Sequence, residues 1–444
     1  MSENNITIKY KETARFSEGE IDAVASTLSL YLGSLKSVAE SAAYEVPESF
    51  LSLPNDKDLF QKTTNIAGLF SGNPLKYVIV VGIGGSNLGA AAVYDAVFPK
   101  FDILYSRRPK ILFSDTNNPR EMEVLKNIID ENIHESKEIV LNIITKSGTT
   151  VETVANAMVL FDMLSSKFGE KEAVARTVIT TDEESPLWKL ARTKGMNVLP
   201  IPKKIGGRYS IFSPAGIFPL RLAGVNVSEL LSGATEIRGA LLSSRQSENP
   251  ALLCAVIDML AHKKKLSIYN SFFFQPEMES VGKWGRQLLA ESLGKKYDKK
   301  GNSVYAGMTP IISIGTTDLH SMAQLYLGGP KDKFTNFIYA TGAEADRIAV
   351  PVFSPFESLV PDIVGKDFQK IVSSILGGTM ETYKENIFPF IETVLPQINE
   401  YYLGQYFMMK MMETILLGKL WDVDPFDQPE VESYKAVARE LLKK

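Results

Sequence analysis

The first 58 residues are patterned as amphipathic helix. In EGEIDAVASTLSLYLGSLKSVAESAAYE the apolar positions return at helical spacing. From about residue 59 the rhythm changes. KYVIVVGIGG, KILFSD, KEIVLNIITKSG, RTVITTD and MNVLPIP are short β-branched runs, and helical stretches such as SNLGAAAVYDAVF and TVANAMVLFDMLSSKFG follow two of them. Continuous apolar strands between helices predict a parallel sheet covered on both faces, with ligands at the carboxyl ends of its strands. The rhythm recurs where LSIYNSFFF runs into QPEMESVGKWGRQLLAESLG and TPIISIGTTDLH runs into SMAQLYLGGP. The pattern therefore predicts an α/β fold with a helical segment over 1–58, α/β units over 59–205 and 206–398, and a helical segment over 399–444. Met408, Met409, Met411 and Met412 in the last segment read as core.

Composition narrows the chemistry. In 444 residues, 48 Lys and Arg stand against 52 Asp and Glu, a net charge of -4 that gives no nucleic-acid footprint. The single cysteine, Cys254, lies in the apolar run ALLCAVIDML and reads as a core thiol. His134, His262 and His320 are too widely separated to suggest a zinc site, so no metal is expected. MSENNITIKYKE has no apolar signal region, and no run approaches a membrane span. The expectation is a cytoplasmic protein that engages no membrane.

Two turns carry candidate chemistry. TKSGTTVET, residues 145–153, joins an apolar strand ending near Ile144 to a helix beginning near Val151. A helix N-terminus has free N–H groups and partial positive charge, which makes it an anion site. Thr145, Ser147 and Thr150 add donors, Lys146 adds a full charge, and Gly148 permits tight turning. GIGGSNLG, residues 82–89, is a second strand-to-helix turn, where Gly84 and Gly85 allow close backbone approach and Ser86 can donate. It lacks the full dinucleotide spacing, because residue 87 is asparagine, and it lacks the P-loop pattern. Helix capping alone is the competing account of each turn. Together they predict a phosphomonoester site.

Further stretches extend the pattern: GGRYSIFSPAG (206–216), AESLGKK (290–296), GTTDLHSMAQLYLGG (315–329) and QPEVESYK (428–435). With the two turns, this set resembles the glucose-6-phosphate isomerase family in order and spacing from about residue 77 to 435. The resemblance implies two sugar-isomerase (SIS) domains of flavodoxin-like type, with helical N- and C-terminal extensions. It implies interconversion of glucose 6-phosphate and fructose 6-phosphate with no cofactor and no metal. Glu291 would move the proton between C2 and C1 through a cis-enediol. Arg208 would stabilise the enediolate. His320, expected in the first turn of a helix closed by Gly328, and Lys435 would open the sugar ring. Gln287, one turn before Glu291, and Gln428 would contact substrate. A homodimer is implied, with His320 reaching the neighbouring subunit's site.

The sequence departs from the family's pattern at Gly148, where longer members carry an aromatic, and at Glu430, where glycine is common. Two other readings stand beside the isomerase. A SIS-type sensor would keep the phosphate turns but would not need Glu291, His320 and Lys435 together. An isomerase for mannose or amino-sugar phosphates is the other.

Overall fold

The computed structural model describes residues 5–41, 43–72, 74–105, 107–245, 247–342 and 348–443. In chain order the strands are β1 (Thr7–Lys9), β2 (Tyr77–Val81), β3 (Lys110–Ser114), β4 (Ile139–Ile144), β5 (Thr177–Thr181) and β6 (Asn197–Pro200). They continue as β7 (Ile268–Phe273), β8 (Lys295–Tyr297), β9 (Ser303–Ala306), β10 (Thr309–Ile314), β11 (Lys333–Ala340) and β12 (Phe390–Leu395). The expected pair of helix-covered parallel sheets is present. The first has the order β3-β2-β4-β5-β6 and is parallel throughout. Counted along the chain this is the flavodoxin order, 2-1-3-4-5. The second has the order β1-β12-β11-β7-β10, and its four parallel strands repeat 2-1-3-4.

The fifth strand of the second sheet comes from the N-terminal segment. β1 pairs antiparallel with β12, Thr7 opposite Val394 and Lys9 opposite Glu392. A three-residue strand carries no readable periodicity, so the helical pattern of 1–58 hides it. Ile6 beside it is fully buried, and its N–H donates to Gln405 Oε1 at 3.2 Å.

β4 and β12 are buried along their whole length, as strands between two helical layers should be. Asn142 is the one polar residue in β4. Its amide donates to Val178 O and Thr180 Oγ1, both at 3.1 Å, which lets it sit inside.

The helix Glu400–Leu420 is the hub of the molecule. Residues 403–418 are all buried, the four methionines among them, so the helix has no solvent face. Lys410 and Glu413 form an ion pair inside it. It crosses the helix Val227–Leu241 at two glycines. A Cβ on Gly404 would lie 2.0 Å from Leu230 O, and one on Gly233 would lie 1.8 Å from Tyr401 O. Cys254, on the neighbouring helix Pro250–Lys263, is fully buried, and burial pushes its thiol pKa up. Among the described residues no helix is long and apolar enough to cross a membrane.

Gly404→Ala is expected to lower stability by about 1–3 kcal/mol or more, because backbone must move to admit the methyl. Gly377→Ala has nothing within 4 Å of the new Cβ, in a helix interior, and should gain roughly 0.5–1 kcal/mol. Urea unfolding midpoints of the two variants should move in opposite directions.

Candidate active site

The turns after β2 and β4 lie side by side, because those strands are neighbours in the first sheet. Glycines set the fit. Gly82 faces the carbonyl of Ile144, where a Cβ would approach to 3.0 Å. A Cβ on Gly85 would lie 2.3 Å from the backbone of Gly207, so residues 206–208 press directly on this turn. Gly84, at φ +61°, leaves room for the Gln287 amide. Three remote segments thus converge on the end of β2.

Neither turn is a side-chain cap. Ser17, Asp56, Asn118, Ser185, Ser213, Asn226, Asn249, Asp367 and Asn399 each accept from a backbone N–H at the start of their helices. At the helices Leu88–Val97 and Val151–Phe168, the N-cap residues Asn87 and Thr150 do not. Capping therefore does not explain these two turns, and their first N–H groups keep their capacity for an anion. Thr150 Oγ1 pairs with Thr145 Oγ1 at 2.9 Å. Ser147 and Thr149 are exposed and Ser86 is half-buried. Lys146 is half-buried too, and desolvation lowers its pKa from the ordinary 10.5, against the pull of Asp182. Gly148 sits at φ +71°, and a Cβ there would lie 2.9 Å from Leu187 Cβ, so a larger residue is strained and crowded.

Arg208 is buried on the turn Gly207–Tyr209 and uses every donor it has. Nε donates to Ser292 Oγ at 3.0 Å. Nη1 donates to Glu291 Oε2 at 2.6 Å and to Gln428 Oε1 at 2.5 Å. Nη2 donates to the carbonyls of Pro425 and Asp427, each at 3.2 Å. Tyr209 lies alongside, its OH on Ser292 Oγ at 3.1 Å and Pro425 O at 3.2 Å, and burial raises its phenol pKa.

Glu291 sits near the end of the helix Glu279–Leu293, closed by Gly294. Its Oε1 accepts from Gln287 Nε2 at 3.1 Å, one turn earlier on the same face. The Oε1 of Gln287 is buried without a partner. The constellation is an ionisable carboxylate held by an arginine and an amide, with an amide oxygen left over. It can move a proton beside a fixed positive charge.

Residues 57–444 match the family described as phosphoglucose isomerase. The chain belongs to that family. It is similar to the glucose-6-phosphate isomerase of Carboxydothermus hydrogenoformans, 29% identical over 447 residues that cover 99% of this chain and 93% of the relative. It is also similar to the probable glucose-6-phosphate isomerase of Methanococcus maripaludis, 31% identical over 82% of this chain and 78% of the relative. Among solved structures, a hypothetical protein from Thermus thermophilus superposes with a TM-score of 0.84 at 27% identity, covering 99% of this chain and 100% of that one. A glucose-6-phosphate isomerase from Chlamydia trachomatis, at 18% identity, shares the fold with a TM-score of 0.80 over 99% of this chain and 88% of that one.

Of the residues singled out in the sequence, Arg208, Glu291, Gln287 and Gln428 come together through direct bonds. Gly85 meets them through Gly207. Thr145, Lys146, Ser147 and Thr150 form the neighbouring turn, with Ser86 on the other. Two candidates stand apart. His320 is exposed at the end of the 3-10 turn Thr317–Leu319, not in the first turn of a helix, and the helix Ala323–Gly328 starts three residues later. Asp318 explains the difference. Its carboxylate takes the Ile314 N–H at 2.7 Å and the Ser321 hydroxyl at 2.8 Å, which closes the turn early. Lys435 lies on the helix Pro429–Leu441, none of whose residues is buried, and pairs with Glu432 at 3.0 Å. Glu430 is exposed in the first turn of that helix, where a carboxylate meets the positive helix end.

The sequence reading passed over Ser292, Lys295, Tyr209 and the carbonyls of residues 425–427. Ser292 and Lys295 stood inside AESLGKK. Backbone acceptors leave no trace in a sequence.

Inorganic phosphate should report on the Lys146 turn. Above about pH 8 the charge of phosphate is constant, so only the lysine titrates against it. Binding favours the ammonium form. Affinity is therefore expected to hold at pH 8 and to fall as pH rises through a value below 10.5. Lys146→Gln should weaken binding at pH 8 by about tenfold to a hundredfold and remove this slope, measured by calorimetric titration.

Proposed function

We propose that this chain interconverts glucose 6-phosphate and fructose 6-phosphate through an open-chain cis-enediolate. The observation that carries the reading is the contact between Arg208 and Glu291, bracketed by Gln287 and Gln428 beside the two uncapped turns. The phosphate docks on Lys146, Ser147, Thr145 and Thr150, with Ser86 and the Gly85 backbone on the facing turn. The sugar carbons then lie toward Glu291. Its carboxylate takes the C2 proton of the open aldose while the C1 carbonyl oxygen gains negative charge. It returns the proton to C1 as the C2 hydroxyl gives up its proton, the C1 oxygen gains one, and the C2 oxygen becomes a carbonyl. One carboxylate suffices, because both carbons lie on one face of a planar enediolate. Arg208 has no free donor, so it acts by the charge it holds beside Glu291, or by releasing the Gln428 oxygen to the substrate. Gln287 Oε1 is a ready acceptor for a sugar hydroxyl. No step calls for a cofactor or metal.

Ring opening is assigned to His320 and Lys435, with His320 supplied by a second copy of the chain. The topology supports this division. Glu291 precedes β8 and β9, which lead to the start of β10. β10 then carries the chain about 20 Å along the sheet before His320. The carboxylate and the imidazole of one chain thus lie toward opposite ends of the strands of the second sheet. A homodimer that brings one chain's His320 to the other's Glu291 satisfies this geometry. A reducing cytoplasmic setting fits a chain whose one cysteine is a buried free thiol. A sugar-phosphate sensor would have no use for a carboxylate locked to a buried arginine.

Fructose 6-phosphate turnover with a chelator present tests the base. Wild type should convert the substrate without added metal, and Glu291→Gln should lose about 10²–10⁴-fold in kcat. Binding without conversion by wild type would reject the reading.

Subunit complementation tests the shared site. Glu291→Gln and His320→Asn chains should each be inactive alone. Unfolded and refolded together in equal amounts, they should recover about a quarter of wild-type activity, because half the dimers would carry one intact site of two. No recovery would place His320 in its own chain's site, and a His320→Asn chain active alone would place it outside the chemistry.

A further inference from the structure

We infer that Lys295 is a positioning residue that ties the base Glu291 to the segment bearing Gln428 and Lys435. The inference rests on the isomerase reading for its kinetic arm alone. Lys295 opens the hairpin β8–β9, where it pairs with Ala306, so its backbone is fixed. Its side chain is 5% exposed, and the ammonium has three acceptors. It donates to Glu291 O at 3.0 Å, to Asp427 O at 2.5 Å and to Asp427 Oδ1 at 2.8 Å.

The first of these is a carbonyl in the last turn of the base helix, where intrahelical partners run out and a cation is favoured. The other two belong to the residue just before Gln428. Asp427 O is shared, since Arg208 Nη2 donates to it from the other side. Two buried cations thus grip one carbonyl, and each also holds Glu291, Arg208 by the carboxylate and Lys295 by the backbone.

The consequence reaches Lys435. Its helix, Pro429–Leu441, buries no residue, so its placement depends on the loop that leads into it. That loop is held by Arg208, Tyr209 and Lys295. Without Lys295, Asp427 O is left to Arg208, whose Nη1 bonds to Glu291 and Gln428 must readjust. Misplacement by about 1 Å costs up to a hundredfold in such a site.

Hydrogen exchange on the full chain, read by mass spectrometry beside fructose 6-phosphate turnover, tests the inference. Lys295→Met removes the three donors at similar volume. Exchange over residues 423–441 should quicken at least tenfold with the rest of the chain unchanged, and kcat should fall roughly tenfold to a hundredfold with KM changed less than threefold. Lys295→Arg, which keeps a cation, should recover part of both. Asp427→Ala, at a half-exposed side chain, should move the same segment in the same direction by less. Wild-type exchange over 423–441 in Lys295→Met would overturn the inference. So would exchange raised along the whole chain in Lys295→Met, with 423–441 unchanged in Asp427→Ala. If wild type does not turn over the sugar phosphate, the isomerase reading fails, and the exchange arm still decides whether Lys295 tethers the segment.

Discussion

The candidate site hangs on the guanidinium of Arg208. A buried cation is tolerable when each of its N–H groups meets an acceptor, and Arg208 meets one for each. Those acceptors come from the base helix, through Glu291 and Ser292, and from the C-terminal loop, through Pro425, Asp427 and Gln428. Arg208 itself stands on a turn pressed against Gly85 of the first sheet. One side chain therefore orders three regions separated by about 80 to 220 positions in the chain. The planar fork of arginine suits this work. A lysine could not bond in five directions within one plane.

The glycines at 82, 84 and 85 make that seat possible. They leave the end of β2 without side chains, so that Gly207, Gln287 and the β4 turn can approach it. The same turn begins a helix that no side chain caps. Among the described residues, nine helices carry a Ser, Asn or Asp cap, and others besides Leu88–Val97 and Val151–Phe168 start without one. The uncapped starts of these two fall after neighbouring strands of the first sheet, with Lys146 and hydroxyls on the second of the two turns.

Much of this was legible in the sequence because it is local. The alternation of apolar runs and helices carries the two sheets, and the strand ends just before TKSGTTVET, at Ile144, while the helix starts within it, at Val151. Gln287 and Glu291 share a face because four residues make about one turn. What stayed hidden is non-local or unpatterned. Strand β1 is too short to show a period and is defined by its partner β12. The five-fold grip on Arg208 uses carbonyl groups that any sequence possesses. The turn at His320 depends on whether Asp318 caps a helix or folds back onto Ile314, and the residue type permits both. Lys295 reads as an ordinary lysine after a helix until Asp427 is brought to it.

The geometry also separates two kinds of group. Proton transfer at carbon needs a carboxylate placed to a fraction of an ångström, and Glu291 is pinned by Arg208 and Gln287 through its oxygens and by Lys295 through its backbone. Ring opening involves oxygen atoms, whose proton transfers are fast and tolerate looser partners. The groups proposed for it, His320 and Lys435, sit on exposed turns and helices that their own chain holds lightly. On the proposed assignment, rigidity lies where a C–H bond must break, and the oxygen chemistry is left to side chains positioned from outside the core, by a neighbouring copy for His320 and by the Asp427 tether for Lys435.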